Sequence, residues 1–131
     1  MPHTLLLIDD NAIQAATRQT ILKRAGYFVF AVLSPERALE QLRHNDYPDT
    51  IDLVITDHIM PGMNGAEFVT RLREFAPDLP VLVISGLAEA EDEYAALDVN
   101  FRMKPLLPQN LISTVGSLIE ARTSAKVQPY R

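Results

Sequence analysis

Four short runs along the chain are apolar almost without interruption, and each gives way to small or polar residues. Thr4–Ile8 (TLLLI) leads into Asp9, Asp10 and Asn11, and Tyr27–Leu33 (YFVFAVL) leads into Ser34. Leu53–Thr56 (LVIT) is followed by Asp57, and Val81–Ser85 (VLVIS) by Gly86. Continuous apolar runs of this length are the pattern of strands buried on both faces, as in parallel sheets. Phe101–Met103 (FRM) is a weaker fifth candidate.

The stretches between these runs have helical length. Ala12–Ala25 stops at Gly26, a natural C-terminal stop. Ser34 places a capping hydroxyl before Pro35 at the first helical position, opening a helix to about Arg43. Gly65–Phe75 carries Phe68, Val69 and Leu72 on one face and ends before Pro77. Ala88–Leu97, acidic and alanine-containing, is expected to form a fourth helix. Leu111, Val115, Leu118 and Ile119 recur at the spacing of a fifth. Five strands alternating with five helices imply an α/β fold, a parallel sheet covered on both faces. Residues 1–122 are expected to form the domain, and Thr123–Arg131 (TSAKVQPYR) a tail or linker stump.

Composition narrows the function. A chain of 131 residues, 47% hydrophobic and 22% charged, fits one domain with one core rather than a disordered segment. No apolar run is long enough to cross a bilayer, and the start lacks a signal-peptide pattern, so no membrane role is expected. The absence of cysteine removes disulfides and thiolate metal sites and is compatible with the cytoplasm, the expected location. A net charge of −5 disfavours a nucleic-acid backbone as direct partner.

The chemistry lies at the strand ends, where sheets of this kind bind ligands. Asp9 and Asp10 follow the first strand, Asp57 the third, Ser85 closes the fourth, and Lys104 follows the fifth. A buried strand that ends on a charge is costly unless the charge meets a cation or hydrogen bonds. Three carboxylates at one edge repel one another unless a divalent cation sits among them, and hard oxygen ligands suit magnesium. Magnesium favours phosphate oxygens, which a lysine and a serine would also meet. The residue types therefore point to phosphoryl chemistry, with one carboxylate free to act as nucleophile.

Taken together, IDDN (Ile8–Asn11), ITDHIMPGMNG (Ile55–Gly65), VISG (Val83–Gly86) and MKP (Met103–Pro105) resemble the receiver domain of two-component response regulators. The resemblance runs from about Thr4 to Ile119 and implies a flavodoxin-like (βα)5 three-layer sandwich with strand order 2-1-3-4-5. It implies that Asp57 accepts a phosphoryl group from a histidine kinase or phosphotransfer protein. It further implies a Mg2+ ion held by Asp10 directly, by Asp9 through water, by Asp57 and by the backbone carbonyl of Ile59. Lys104, Ser85 and Gly86 would meet the phosphoryl group, Phe101 would be the switch aromatic, and the bond before Pro105 would be cis. The transfer would be self-catalysed, so the chain would be a switch and not a turnover enzyme. A downstream protein would read the surface around the fourth helix and fifth strand, through which a homodimer could also form. His58, with no other histidine beside it in the pattern, reads as an exposed loop residue rather than a second phosphoryl carrier.

The chain departs from the family pattern in two ways. Lys104 follows Ser85 by 19 residues, a few fewer than receivers usually have, so the fourth-helix region is shortened. Ile59 and Leu87, each two residues beyond a site residue, are apolar where family members can carry polar side chains that orient water. Three other functions fit the sequence less well. A phosphorylation-independent interaction module fits the shortened region but not the intact set of site residues. A magnesium-dependent phosphatase would need an acid where Ile59 stands. A nucleotide- or flavin-binding role lacks a glycine-rich loop after the first strand.

Overall fold

The computed structural model describes residues 2–126. The five apolar runs form strands β1 (Thr4–Ile8), β2 (Phe28–Val32), β3 (Leu53–Asp57), β4 (Val81–Ser85) and β5 (Asn100–Met103), all parallel, in the order β2-β1-β3-β4-β5. β1, β3 and β4 are buried along their whole length, which is why their sequences do not alternate. Side-chain alternation divides the core into two layers. Leu6, Ile8, Val54, Val81 and Val83 face helices α2 (Pro35–Arg43) and α3 (Gly65–Arg73). Leu5, Leu7, Leu53, Ile55, Leu82 and Ile84 face helix α1 (Ala12–Arg24) and the C-terminal helix α4 (Pro108–Lys126). Phe68 of α3 is fully buried, and a side chain of that size contributes about 1.5–3 kcal/mol on leaving water.

The helix starts are specified locally. The Asn11 side chain accepts from the Gln14 N–H at 3.0 Å, and Ser34 caps α2 through the Arg37 N–H at 3.2 Å. Asn64 and Glu67 form a reciprocal capping box at the start of α3. Gly26 (φ +104°) ends α1, and Gly62 (φ +80°) lets the chain after Pro61 turn back toward α3. Helix α4 continues through Lys126, past the expected start of a tail at Thr123, and residues 127–131 lie outside the described residues.

The expected fourth helix is not an α-helix. Ala88–Tyr94 winds as a 3-10 helix of seven residues, so among the described residues the helices are four α-helices and this segment. Two features weaken an α-helix here, and a third favours the tighter form. Leu87 at its start supplies no side-chain cap, and Glu89, Glu91, Asp92 and Glu93 repel along it with no basic residue between them. The segment must also run back alongside β4, whose five residues span about 16 Å. Seven residues cover ~14 Å at the 3-10 rise of about 2.0 Å each, but only ~10 Å at the α-helical rise of about 1.5 Å. A crossover short of residues gains reach by winding tighter.

Candidate functional site

The parallel register brings the carboxyl ends of β1, β3, β4 and β5 to one edge of the sheet. Asp9 and Asp10 leave β1 there, Asp57 and Ser85 close β3 and β4, and Lys104 follows β5. Asp9 is fully buried and Asp57 is 3% exposed, whereas Asp10 is open to solvent. Two buried carboxylates in one site require partners. Asp9 Oδ1 accepts from the Asn11 N–H at 2.9 Å, and Oδ2 accepts from the Gln14 amide at 2.7 Å. Asp57 Oδ1 lies 3.0 Å from Lys104 Nζ and accepts from Arg18 Nη1 at 3.2 Å. Asp57 Oδ2 accepts from Gln14 Nε2 at 3.0 Å. Arg18 Nη1 also reaches Asp9 Oδ2 at 3.4 Å. Burial pushes the Asp9 carboxyl above its ordinary pKa of 3.8, and the neighbouring Asp57 pushes the same way. The bonds from Gln14 and the Asn11 N–H pull against that shift.

Asp9, Asp10 and Asp57 each offer a carboxylate oxygen, and these oxygens lie within 4.8 Å of one another. An anionic, all-oxygen donor set of this kind fits a hard divalent cation. Asp9, Asp10, Asp57 and Lys104 are thus brought together as the sequence led one to expect. Ser85 lies at the same edge and is buried, but its hydroxyl is engaged with Leu87 and not with Asp57. Its Oγ accepts from the Leu87 N–H at 3.0 Å and lies 3.4 Å from the Leu87 carbonyl oxygen. The Lys104 N–H donates to the Ser85 carbonyl at 2.7 Å, which ties the exit of β5 to the end of β4, and the Lys104–Pro105 peptide is cis. Gly86 follows Ser85 at an exposed position. Ile59 stands in the loop after β3, 66% exposed, and Leu87 is 40% exposed. Phe101 lies farther from the carboxylates, half-buried on β5, with its ring centroid 5.9 Å from that of Tyr94.

One expectation is overturned. His58 is not an exposed loop residue, being only 5% exposed. Its Nδ1 lies 2.7 Å from the Tyr94 hydroxyl, and its Nε2 lies 3.5 Å from a carboxylate oxygen of Glu93. The 3-10 segment carries both partners to it, so a residue that looked unpartnered in the sequence is satisfied through tertiary structure. Burial pushes the Tyr94 phenol well above its ordinary range, and Glu93 adds to the shift.

Two site residues, Gln14 and Arg18, were not expected from the sequence. A signal for them existed. Positions 14, 18 and 22 lie four apart on one face of α1, where the apolar Leu22 marks the buried side. Polar groups in line with a core position ask for buried partners, and Asp9 and Asp57 are those partners.

Comparison with known proteins agrees with the geometry. The response regulator receiver domain family matches residues 5–115. The chain is 32% identical over 124 residues to the hydrogenase transcriptional regulatory protein HoxA of Cupriavidus necator, covering 91% of this chain and 24% of that one. It is 31% identical to the two-component response regulator ORR6 of Oryza sativa, covering 82% of this chain and 65% of that one. The chain thus spans less than two thirds of these relatives. Among solved structures, the response regulator receiver protein of Sinorhizobium medicae superposes with a TM-score of 0.78 at 34% identity, covering 92% of this chain and 97% of that one. A receiver domain from Clostridium thermocellum, at 22% identity and a TM-score of 0.82 with 92% and 97% coverage, shares the fold. Receiver domains of two-component systems interact with histidine kinases or phosphotransfer proteins, and this chain belongs to the response regulator receiver domain family.

Proposed function

We propose that the site accepts a phosphoryl group on Asp57 from a phosphohistidine, with Mg2+ as the cation of the carboxylate cluster. The observation that carries this reading is the convergence of three carboxylates within 4.8 Å beside a lysine 3.0 Å from one of them. In the transfer, an Asp57 carboxylate oxygen bonds to phosphorus, the P–N bond of the donor breaks, and the imidazole nitrogen leaves with the electron pair. Bound Mg2+ would supply charge neutralisation for the phosphoryl oxygens, held by Asp9, Asp10, Asp57 and the Ile59 carbonyl. Lys104, 3.0 Å from Asp57 Oδ1, would neutralise the same oxygens, and Ser85 and Gly86 would offer a hydroxyl and an N–H once the Ser85–Leu87 contacts give way. Such transfers pass through a loose transition state, so positioning and electrostatics supply most of the catalysis.

On this reading the chain is a phosphoacceptor rather than a turnover enzyme, working in the cytoplasm, where ATP-fuelled kinases charge their histidines. The surface around the 3-10 segment and β5, with Phe101, would carry the signal to a downstream protein or a second copy of the chain. The shortened crossover does not favour a phosphorylation-independent module, because it leaves the carboxylates and Lys104 assembled. The test is intact mass after incubation with acetyl phosphate and Mg2+. The wild type should gain one phosphoryl group that depends on the metal, and Asp57→Asn should gain none. A mass gain that persists in Asp57→Asn would assign the acceptor elsewhere.

A further inference from the structure

The acidic site already contains a second cation besides Lys104, and it comes from a helix. Arg18 Nη1 stands between Asp9 and Asp57, 3.4 Å from Asp9 Oδ2 and 3.2 Å from Asp57 Oδ1, on a side chain only 12% exposed. Gln14, one turn earlier on α1, donates from Nε2 to the same two carboxylates at 2.7 and 3.0 Å. Both oxygens of Asp57 and the Oδ2 of Asp9 are therefore engaged by groups from α1 or by Lys104. The arrangement does electrostatically what a divalent cation would do, which is to hold buried carboxylates together against their repulsion. The guanidinium also has somewhere to go. A cavity of about 610 Å³ opens beside it, lined by Thr17, Ile21, Lys104, Pro105 and Leu111.

We propose that Arg18, steadied by Gln14, is a resident counter-ion of the carboxylate cluster that must be exchanged for the divalent ion, so that it sets the metal affinity of this chain. The inference rests on the metal-dependent reading above and adds a regulatory residue to it. Arg18 already occupies the place between Asp9 and Asp57, and a divalent ion drawn there would meet its charge at short range in addition to that of Lys104. Metal binding therefore includes the work of breaking the Arg18 contacts, and the apparent affinity falls by the corresponding factor. A structural role alone predicts the opposite sign. If Arg18 only held the site in shape, its loss would loosen the carboxylates and weaken metal binding.

The experiment is isothermal titration of MgCl2 into the 131-residue chain at fixed pH and ionic strength, for wild type, Arg18→Met and Arg18→Lys. Arg18→Met should bind Mg2+ roughly tenfold more tightly, equivalent to ~1.4 kcal/mol. Arg18→Lys, which keeps the charge, should stay within about twofold of wild type. Melting without metal should show Arg18→Met less stable than wild type, with a larger gain in Tm on adding Mg2+. If Arg18→Met does not fold, Arg18→Gln removes the charge while keeping a hydrogen-bonding amide and carries the same expectation. Binding in the neutral variants but not in wild type would support the exchange. Equal or weaker binding in the neutral variants would overturn it and leave the metal-dependent reading intact. Binding to none of the proteins would overturn both.

Discussion

Asp57 illustrates how a single residue can be legible in a sequence while its neighbourhood is not. A carboxylate closing a buried apolar strand announces that a cation lies nearby, and Lys104 could be paired with it because the strand order places both at one edge. Gln14, Arg18 and the His58–Tyr94 pair were not legible in the same way. Their roles depend on which side chains meet across 36 to 43 residues of sequence, and periodicity carries no such information. Gly65 shows the same limit more sharply. A helix start there was expected, yet its reason for being glycine is tertiary. A Cβ at that position would stand 2.7 Å from the Asp57 carbonyl oxygen, 3.1 Å from the His58 Cα and against the Tyr94 hydroxyl, and the first two contacts are backbone that cannot swing aside. Gly65→Ala should therefore destabilise the fold by about 2 kcal/mol, the usual scale of overpacking, despite alanine's better helix propensity. Urea denaturation measures it, and an unchanged or raised midpoint would mean that the loop after Asp57 yields more readily than its contacts indicate.

Among the elements, the strands and four of the helices follow from apolar runs, caps and stops, because those signals are local and each agrees with the fold. The segment Ala88–Tyr94 does not, because its winding depends in part on the distance it must span, and that distance belongs to the sheet. Its form has a consequence for switching. Tyr94 is 3% exposed, pairs with His58 beside Asp57, and packs at 50° against Phe101, so the segment is joined to both the site and β5. If the Ser85 hydroxyl leaves Leu87 for a phosphoryl oxygen, Phe101 can follow only by repacking against Tyr94, and the 3-10 segment must respond. Addition of Mg2+ and beryllofluoride should therefore shift backbone amide resonances throughout residues 88–101, as well as those of residues 57–60 and 85–87. Shifts confined to the strand ends, with none at Tyr94 or Phe101, would separate the site from this surface.

In the molecule as a whole, parallel strands gather every candidate chemical group at one edge, and the loops at that edge also determine how long a phosphoryl group would last. Hydrolysis of an acyl phosphate on Asp57 needs a water held in line with phosphorus, opposite the aspartate oxygen. Holding it takes a donor or acceptor near the mouth of the site, since orientation is much of what can accelerate such a step. Ile59 and Leu87 follow Asp57 and Ser85 by two residues, at the loops flanking that mouth, and at 66% and 40% exposure neither is drawn into the core. Neither side chain can hydrogen-bond to a water. Self-dephosphorylation should accordingly be slow, with the group leaving mainly through a phosphatase or by back-transfer to a histidine. Combining Ile59→Asn with Leu87→Glu should accelerate hydrolysis roughly tenfold, which needs only ~1.4 kcal/mol off the barrier. Both substitutions fall at exposed positions, so folding and metal-dependent phosphorylation should survive them, and an equal mass gain before the decay begins is the control. The measurement is the loss of phosphorylated mass after the donor is removed by gel filtration, in wild type and in the double variant. Rapid decay in the wild type would show that a group other than these two side chains orients the water, with Gln14 the nearest uncharged candidate on Asp57. An unaccelerated variant would place the barrier in the exclusion of water by the surrounding loops.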